Sequence, residues 1–188
     1  GDLSANSTPR ARATYRGSTM TIALRRAELA DRDTIQRFHR ALYLEHRSAL
    51  MPDGLEILYA YRDFENVLRE DVDAMLRSPG TTIFVAVDTS AGANGRVLGY
   101  VTGMVEHDPR RVLSRKGILG DWYVEPDARG LGVGRKLVDA LFAHFRTLGC
   151  SVVETMTWPF NTGTRKAMAK LGFDEVQIVY RQSLSEDL

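Results

Sequence analysis

Asp127-Ala128-Arg129-Gly130-Leu131-Gly132-Val133-Gly134-Arg135-Lys136 joins an apolar, strand-like segment, Ile118 to Val124, to an amphipathic helical one, Val133 to Leu148. Glycines at 130, 132 and 134 let the backbone turn tightly and aim N–H groups at one point with no Cβ in the way. A helix starting there adds the positive end of its dipole. Arg129, Arg135 and Lys136 add full positive charges. Together they make a seat for a polyanion, and a pyrophosphate fits it best. An ordinary strand-to-helix turn would use the same glycines, so the loop taken alone leaves both readings open.

Two familiar phosphate loops fit poorly. A dinucleotide fingerprint needs G-x-G-x-x-G after an early strand and an acid about 20 residues on; here G-x-G-x-G follows more than half of the chain. A P-loop ends in G-K-S/T, and Gly134-Arg135-Lys136-Leu137 lacks the hydroxyl that holds magnesium. A third pattern, Arg/Gln-x-x-Gly-x-Gly/Ala, is matched by Arg129-x-x-Gly132-x-Gly134. It is the acyl-CoA pyrophosphate loop of the GNAT family of N-acetyltransferases. The run from Asp121 to Gly134 resembles that family's strand-loop-helix core. Asn161 to Phe173 resembles its second signature, an Asn opening a helix that closes on Leu171-Gly172-Phe173. The resemblance covers about residues 20 to 184. It implies an α+β fold with a GNAT-like mixed, mostly antiparallel sheet of six to seven strands flanked by about four helices. It also implies transfer of an acetyl group from acetyl-CoA, as co-substrate, to a primary amine by direct attack, with no metal. Dimers are usual among similar proteins, so a homodimer is expected.

Bulk properties agree with a single enzyme-sized domain: 188 residues can bury a sizeable core. A net charge of +1 does not suit a strongly basic nucleic-acid binder. The one cysteine, Cys150, excludes an internal disulfide and suits a reducing, cytoplasmic setting. No apolar run reaches the roughly 20 residues of a membrane span, so no membrane partner is expected. Residues 1–19, rich in Ser, Thr, Ala and Arg, read as a flexible leader or a segment added for expression; 20–188 read as the acetyltransferase domain. Strands are expected at Thr21–Arg25, Thr82–Val87, Val97–Glu106, Ile118–Val124, Ser151–Thr157, 173–176 and 178–184, and helices from Ala30-Asp31 to about Leu50, at Phe64–Leu76 and at Asn161–Leu171. Helix 133–148 puts Val133, Leu137, Val138, Leu141, Phe142, Phe145 and Leu148 on one face, and Gly149 ends it.

Moving an acetyl group from a thioester to an amine needs a neutral amine, a polarised carbonyl and a stabilised thiolate. The four His and one Cys show no metal-ligand spacing. The resemblance implies that the strand before the glycines bulges and splays. Backbone groups of Trp122, Tyr123 and Val124 would then pair with the pantetheine arm, with the Val124 N–H facing the acetyl oxygen. Arg129, Gly130, Leu131, Gly132, Val133, Gly134, Arg135 and Lys136 would hold the pyrophosphate. Asn161 would contact pantetheine and could equally cap its helix, and Arg165 could meet the 3′-phosphate. Asp121, three residues before Val124, is the leading general base or amine anchor, or else a rim carboxylate paired with an Arg. Glu106 and His107 are alternatives. Met168 stands five residues before Phe173, where many relatives carry a Tyr general acid. A non-catalytic acyl-CoA sensor or interaction module therefore stands as the alternative function. Glu45, Glu56, Tyr59, Tyr61 and Asp63, between the first two helices, suit a cationic amine through ion pairing and cation–π contact. Polyamine, aminoglycoside, amino-acid amine and peptide Lys all stay open as acceptors.

Overall fold

Along one strand, Ile83, Val85 and Val87 turn to one side and Ala86 to the other, and both sides are buried. A sheet buried on two faces needs helices on both, and the computed structural model provides them. It describes residues 12–15, 18–92 and 94–184. The leader expected over residues 1–19 lies mostly outside the described residues.

The sheet runs in chain order: β1 (Arg12–Tyr15), β2 (Ser18–Arg26), β3 (Thr81–Asp88), β4 (Arg96–His107), β5 (Arg115–Val124) and β6 (Val152–Glu154). All neighbours pair antiparallel except β5 and β6, which are parallel. Five strands, β2–β6, form the mixed core, and β1 extends one edge as a hairpin partner of β2. On one face lies α3 (Val133–Thr147), with Val133, Leu137, Val138, Leu141 and Phe145 buried. Each such side chain contributes about 1.5–3 kcal/mol of burial. Gly149, at φ 76°, turns the chain out of this helix. On the other face, α1 (Arg32–Tyr43) and α2 (Phe64–Arg77) bury Ile35, Phe38 and Val72 against β3, Tyr100 and Tyr123. The chain after α1 widens into a π-helical turn over Leu44–Ser48. The last helix, α4 (Thr162–Lys170), starts from Asn161.

The two strands expected at 173–176 and 178–184 do not form; that segment has no regular secondary structure. Val176, Ile178, Val179, Tyr180 and Leu184 are 71–93% exposed. Apolar alternation specifies a strand only where a partner strand and a face to cover are present. Here β6 is three residues long and offers little of either.

Candidate active site

Strand β5 carries the centre of the site. Its pairing with β4 shifts register between Val101 and Gly103, so Gly120 and Asp121 both fall opposite Thr102. This is a β-bulge, and it re-aims the Asp121 side chain. Thr102 Oγ1 accepts the Asp121 N–H at 2.8 Å. Gly120 is required there, because a Cβ would lie 2.6 Å from that same oxygen. On the other side, β5 pairs with β6 only over Lys116–Ile118. Beyond Ile118 the two strands part and open a wedge. The Glu125 N–H donates to Leu98 O on β4 at 2.8 Å. Alternation along the strand turns the N–H and C=O of Val124 the other way, toward the wedge.

The Asp121 carboxylate is paired with polar side chains, and neither is an Arg. It accepts the Tyr100 hydroxyl at 2.9 Å and lies 2.8 Å from His39 Nδ1. His39 is buried on α1, its Nε2 3.6 Å from Asp71 on α2, beyond hydrogen-bond reach. Burial works against charge on His39, but the hydrogen bond and charge of Asp121, with Asp71, outweigh it. The His39 pKa therefore sits above the ordinary 6.5. Burial likewise pushes the Tyr100 phenol well above 10.0, so it stays a donor. Sequence reasoning missed both partners. The one usable signal was a His four residues from both Ile35 and Tyr43 along the amphipathic α1.

The glycine loop is open where a ligand could approach. Gly130 (φ 77°) and Gly132 (φ 80°) are left-handed, and nothing lies within 4 Å of a Cβ built on either. The first N–H at this end to bond back is that of Lys136, to Gly132 O at 3.1 Å. Among the described residues, the N–H groups of Gly130, Leu131, Gly132, Val133, Gly134 and Arg135 have no intramolecular acceptor. A row of unpaired N–H groups at a helix start fits a diphosphate. Gly134 has a second reason to be glycine: a Cβ would stand 3.0 Å from the Trp122 indole. The Trp122 Nε1 is buried without a partner.

Several cofactor candidates are engaged within the protein. Arg129 donates to Val124 O at 2.9 Å and to Glu45 at 2.6 Å, and its guanidinium sits over Tyr123. It braces the end of β5 against the turn after α1. Arg135 pairs with Asp139 at 2.8 Å. Asn161 Oδ1 caps α4 through the Thr164 N–H at 3.0 Å, and its Nδ2 donates to His46 O at 3.3 Å. Arg165 pairs with Glu175 at 2.7 Å. Lys136 lies in the first turn of α3 beside the open N–H row.

The wedge continues into a cleft of about 660 Å3. Asp121, Trp122, Tyr59, Tyr61, Asn161 and Met168 line it. Of the residues expected around the amine, Glu45, Glu56, Asp63 and Glu106 do not. Glu56 is an exposed residue opening a 3-10 turn. Glu106 sits near the far end of β4, paired with Lys116 at 3.2 Å, because the register puts those two opposite each other. His107 lies beyond it, opposite Arg115. Asp63 caps α2 through the Asn66 N–H. The phenol of Tyr43, also in the cleft, is held protonated by burial and by Tyr61. Among the described residues no group of three or more His, Cys, Asp or Glu is placed to hold a metal, and no helix is long and apolar enough to cross a membrane.

Comparison with known proteins agrees with this geometry. An aminoglycoside N(6′)-acetyltransferase type 1 from Stenotrophomonas maltophilia is 32% identical over 98 residues, 50% of this chain and 64% of that protein. N-alpha-acetyltransferase 30 of Saccharomyces cerevisiae is 25% identical over 129 residues, 69% of this chain and 66% of that protein. Both matches span somewhat less than two thirds of the relative. The structure of the aminoglycoside N-acetyltransferase AAC(6′)-Iy in complex with CoA superposes with a TM-score of 0.64 at 19% identity, covering 95% of this chain and 100% of that one. At that identity the likeness is one of fold. The family model described as Acetyltransferase (GNAT) family matches residues 39–173, and the chain belongs to that family.

Proposed function

We propose that the protein moves an acetyl group from acetyl-CoA to a primary amine by direct attack. One observation carries the reading: the bulge-borne Asp121 stands at the wedge between β5 and β6, which leads to the unpaired N–H row at the start of α3. In this reading the N–H groups of Gly130–Arg135 hold the diphosphate and Lys136 adds its charge. Trp122, Tyr123 and Val124 line the pantetheine arm, and the Val124 N–H polarises the thioester carbonyl. The amine nitrogen bonds to the carbonyl carbon, the C–S bond breaks, and the amine proton passes to Asp121. Tyr100 and His39 hold that carboxylate in place. Met168 lines the cleft and has no proton to give, so the departing thiolate takes its proton from water.

Release of free thiol from acetyl-CoA in the presence of an amine panel tests the proposal. Amine-dependent release supports it; acetyl-CoA binding without turnover of any amine favours a sensor instead, the reading that Met168 supports. The proposal includes a cytoplasmic location and a homodimer. The exposed apolar side chains of 176–184 are the surface that a second copy would cover.

A further inference from the structure

We propose that the acceptor amine also carries a carboxylate, received by the guanidinium of Arg47 with Arg181 nearby, while Asp121 addresses the amine. The proposal rests on the acetyl-transfer reading of the same cleft and narrows its acceptor.

The charges lining the cleft are the starting point. Among the described residues, Asp121 is the single carboxylate in its wall, against the guanidinium groups of Arg47 and Arg181. His46 is there too, and burial together with the charge of Arg129 pushes its pKa below 6.5, so it is neutral at pH 7. The acids that the sequence placed near the acceptor are elsewhere: Glu45 is bonded to Arg129, Glu56 faces solvent and Asp63 caps α2. A polycationic acceptor would bring several ammonium groups to one carboxylate and two guanidiniums. Like charges brought together in a cleft are a strong bar to binding.

Arg47 is built as a receptor. Its guanidinium carbon lies 5.3, 5.2 and 5.9 Å from the ring centroids of Tyr43, Tyr61 and Trp158. One of its N–H groups donates to Tyr59 O. No carboxylate among the described residues lies within 4.0 Å of it. An arginine withdrawn from water normally finds an anion. This one has aromatic faces and one carbonyl, which fix its plane and leave further N–H donors for a bidentate carboxylate. Arg181 is held in a similar way, 4.2 Å from the Tyr59 ring and donating to Leu58 O at 2.9 Å. His39, Tyr43 and Arg47 recur every four residues and so share one side of α1 and its π-helical extension. The first of them holds Asp121 and the last is the receptor. Eight residues of helix put their backbones on the order of 10 Å apart. That span suits a carboxylate several bonds from the amine, as in a short peptide with a free C-terminus.

The test uses the full chain, acetyl-CoA, and dipeptides offered as free acid and as C-terminal carboxamide. Spermidine and kanamycin serve as polycationic probes. Wild type is expected to favour the free acid over the carboxamide in kcat/KM by roughly 10- to 100-fold, the range of a hydrogen-bonded ion pair. In Arg47→Gln that ratio is expected to collapse toward about 1, mainly through KM for the free acid. If Arg47→Gln fails to fold, the same ratio is read in Arg181→Gln, where a drop is expected and an unchanged ratio overturns the proposal. Equal losses for acid and carboxamide in Arg47→Gln would make Arg47 a brace for the 56–61 segment and overturn it. Acetylation of spermidine or kanamycin in preference to the dipeptides overturns it while leaving acetyl transfer intact. Calorimetric binding of acetyl-CoA with no amine acetylated removes both.

Discussion

Replacing Asp121 by Asn separates chemistry from scaffolding at the centre of the site. The carboxylate receives the Tyr100 hydroxyl at 2.9 Å and His39 Nδ1 at 2.8 Å. A hydrogen bond to a charged group contributes about 1.5–3 kcal/mol, and one between neutral groups about 0.5–1.5. Two bonds each weakened by ~1 kcal/mol cost about 2 kcal/mol in all. For a chain of this size that is a fall in Tm of roughly 4–8 °C. Loss of the proton acceptor has a different scale, about 100- to 10,000-fold in kcat. The affinity for acetyl-CoA, which the proposal assigns to the loop before α3, should hold. Thermal unfolding, calorimetric titration of acetyl-CoA and thiol release with the best acceptor read the three quantities separately. A variant that loses the expected stability but keeps wild-type kcat would show Asp121 to be a structural hub and refute its role as base.

The neighbouring residues give further expected outcomes. His39 has a pKa raised above 6.5 in the folded state, so its protonated form stabilises the fold. That contribution is complete below about pH 6.5 and is lost as pH rises through the higher folded value. The difference in Tm between wild type and His39→Gln should therefore shrink as pH increases above 6.5; a difference that grows with pH would contradict the assignment. Gly117→Ala would place a Cβ 2.5–2.7 Å from the Phe145 ring. Overpacking of that kind costs about 1–3 kcal/mol, and an unchanged Tm would show that α3 does not sit on β5 as described. Sedimentation equilibrium should return twice the chain mass, and Val179→Glu should shift it toward one chain; a wild-type monomer at every concentration would remove the homodimer from the proposal.

How much of this could be read beforehand depends on the range of the interactions. Helix α3 and its glycine loop were legible because the signal is local: a period of 3.6 over fifteen residues and three glycines in five positions. That the strand before the glycines bulges came from resemblance, and the register shift at Thr102 places the bulge at Gly120-Asp121. The Asp121 partners could not be read, because His39 is 82 residues away and meets β5 only through the packing of α1 on the sheet. Arg129 was read from its place in a motif, which carries no sign of its partner Glu45, 84 residues earlier. The cleft wall was only partly legible, through Tyr59 and Tyr61, for a related reason. Acids near a site in sequence, such as Glu56 and Glu106, were counted toward it, whereas the π-helical turn after α1 brings in Arg47 and the C-terminal segment brings in Arg181.

The central claim is that unpaired main-chain N–H groups from Gly130 to Arg135 hold the diphosphate of coenzyme A. A crystal structure of the protein with CoA tests it most directly. The account predicts diphosphate oxygens at about 3 Å from several of those nitrogens, with the pantetheine arm running into the wedge between β5 and β6. A diphosphate seated on any other surface, or no bound CoA at saturating concentration, would contradict it.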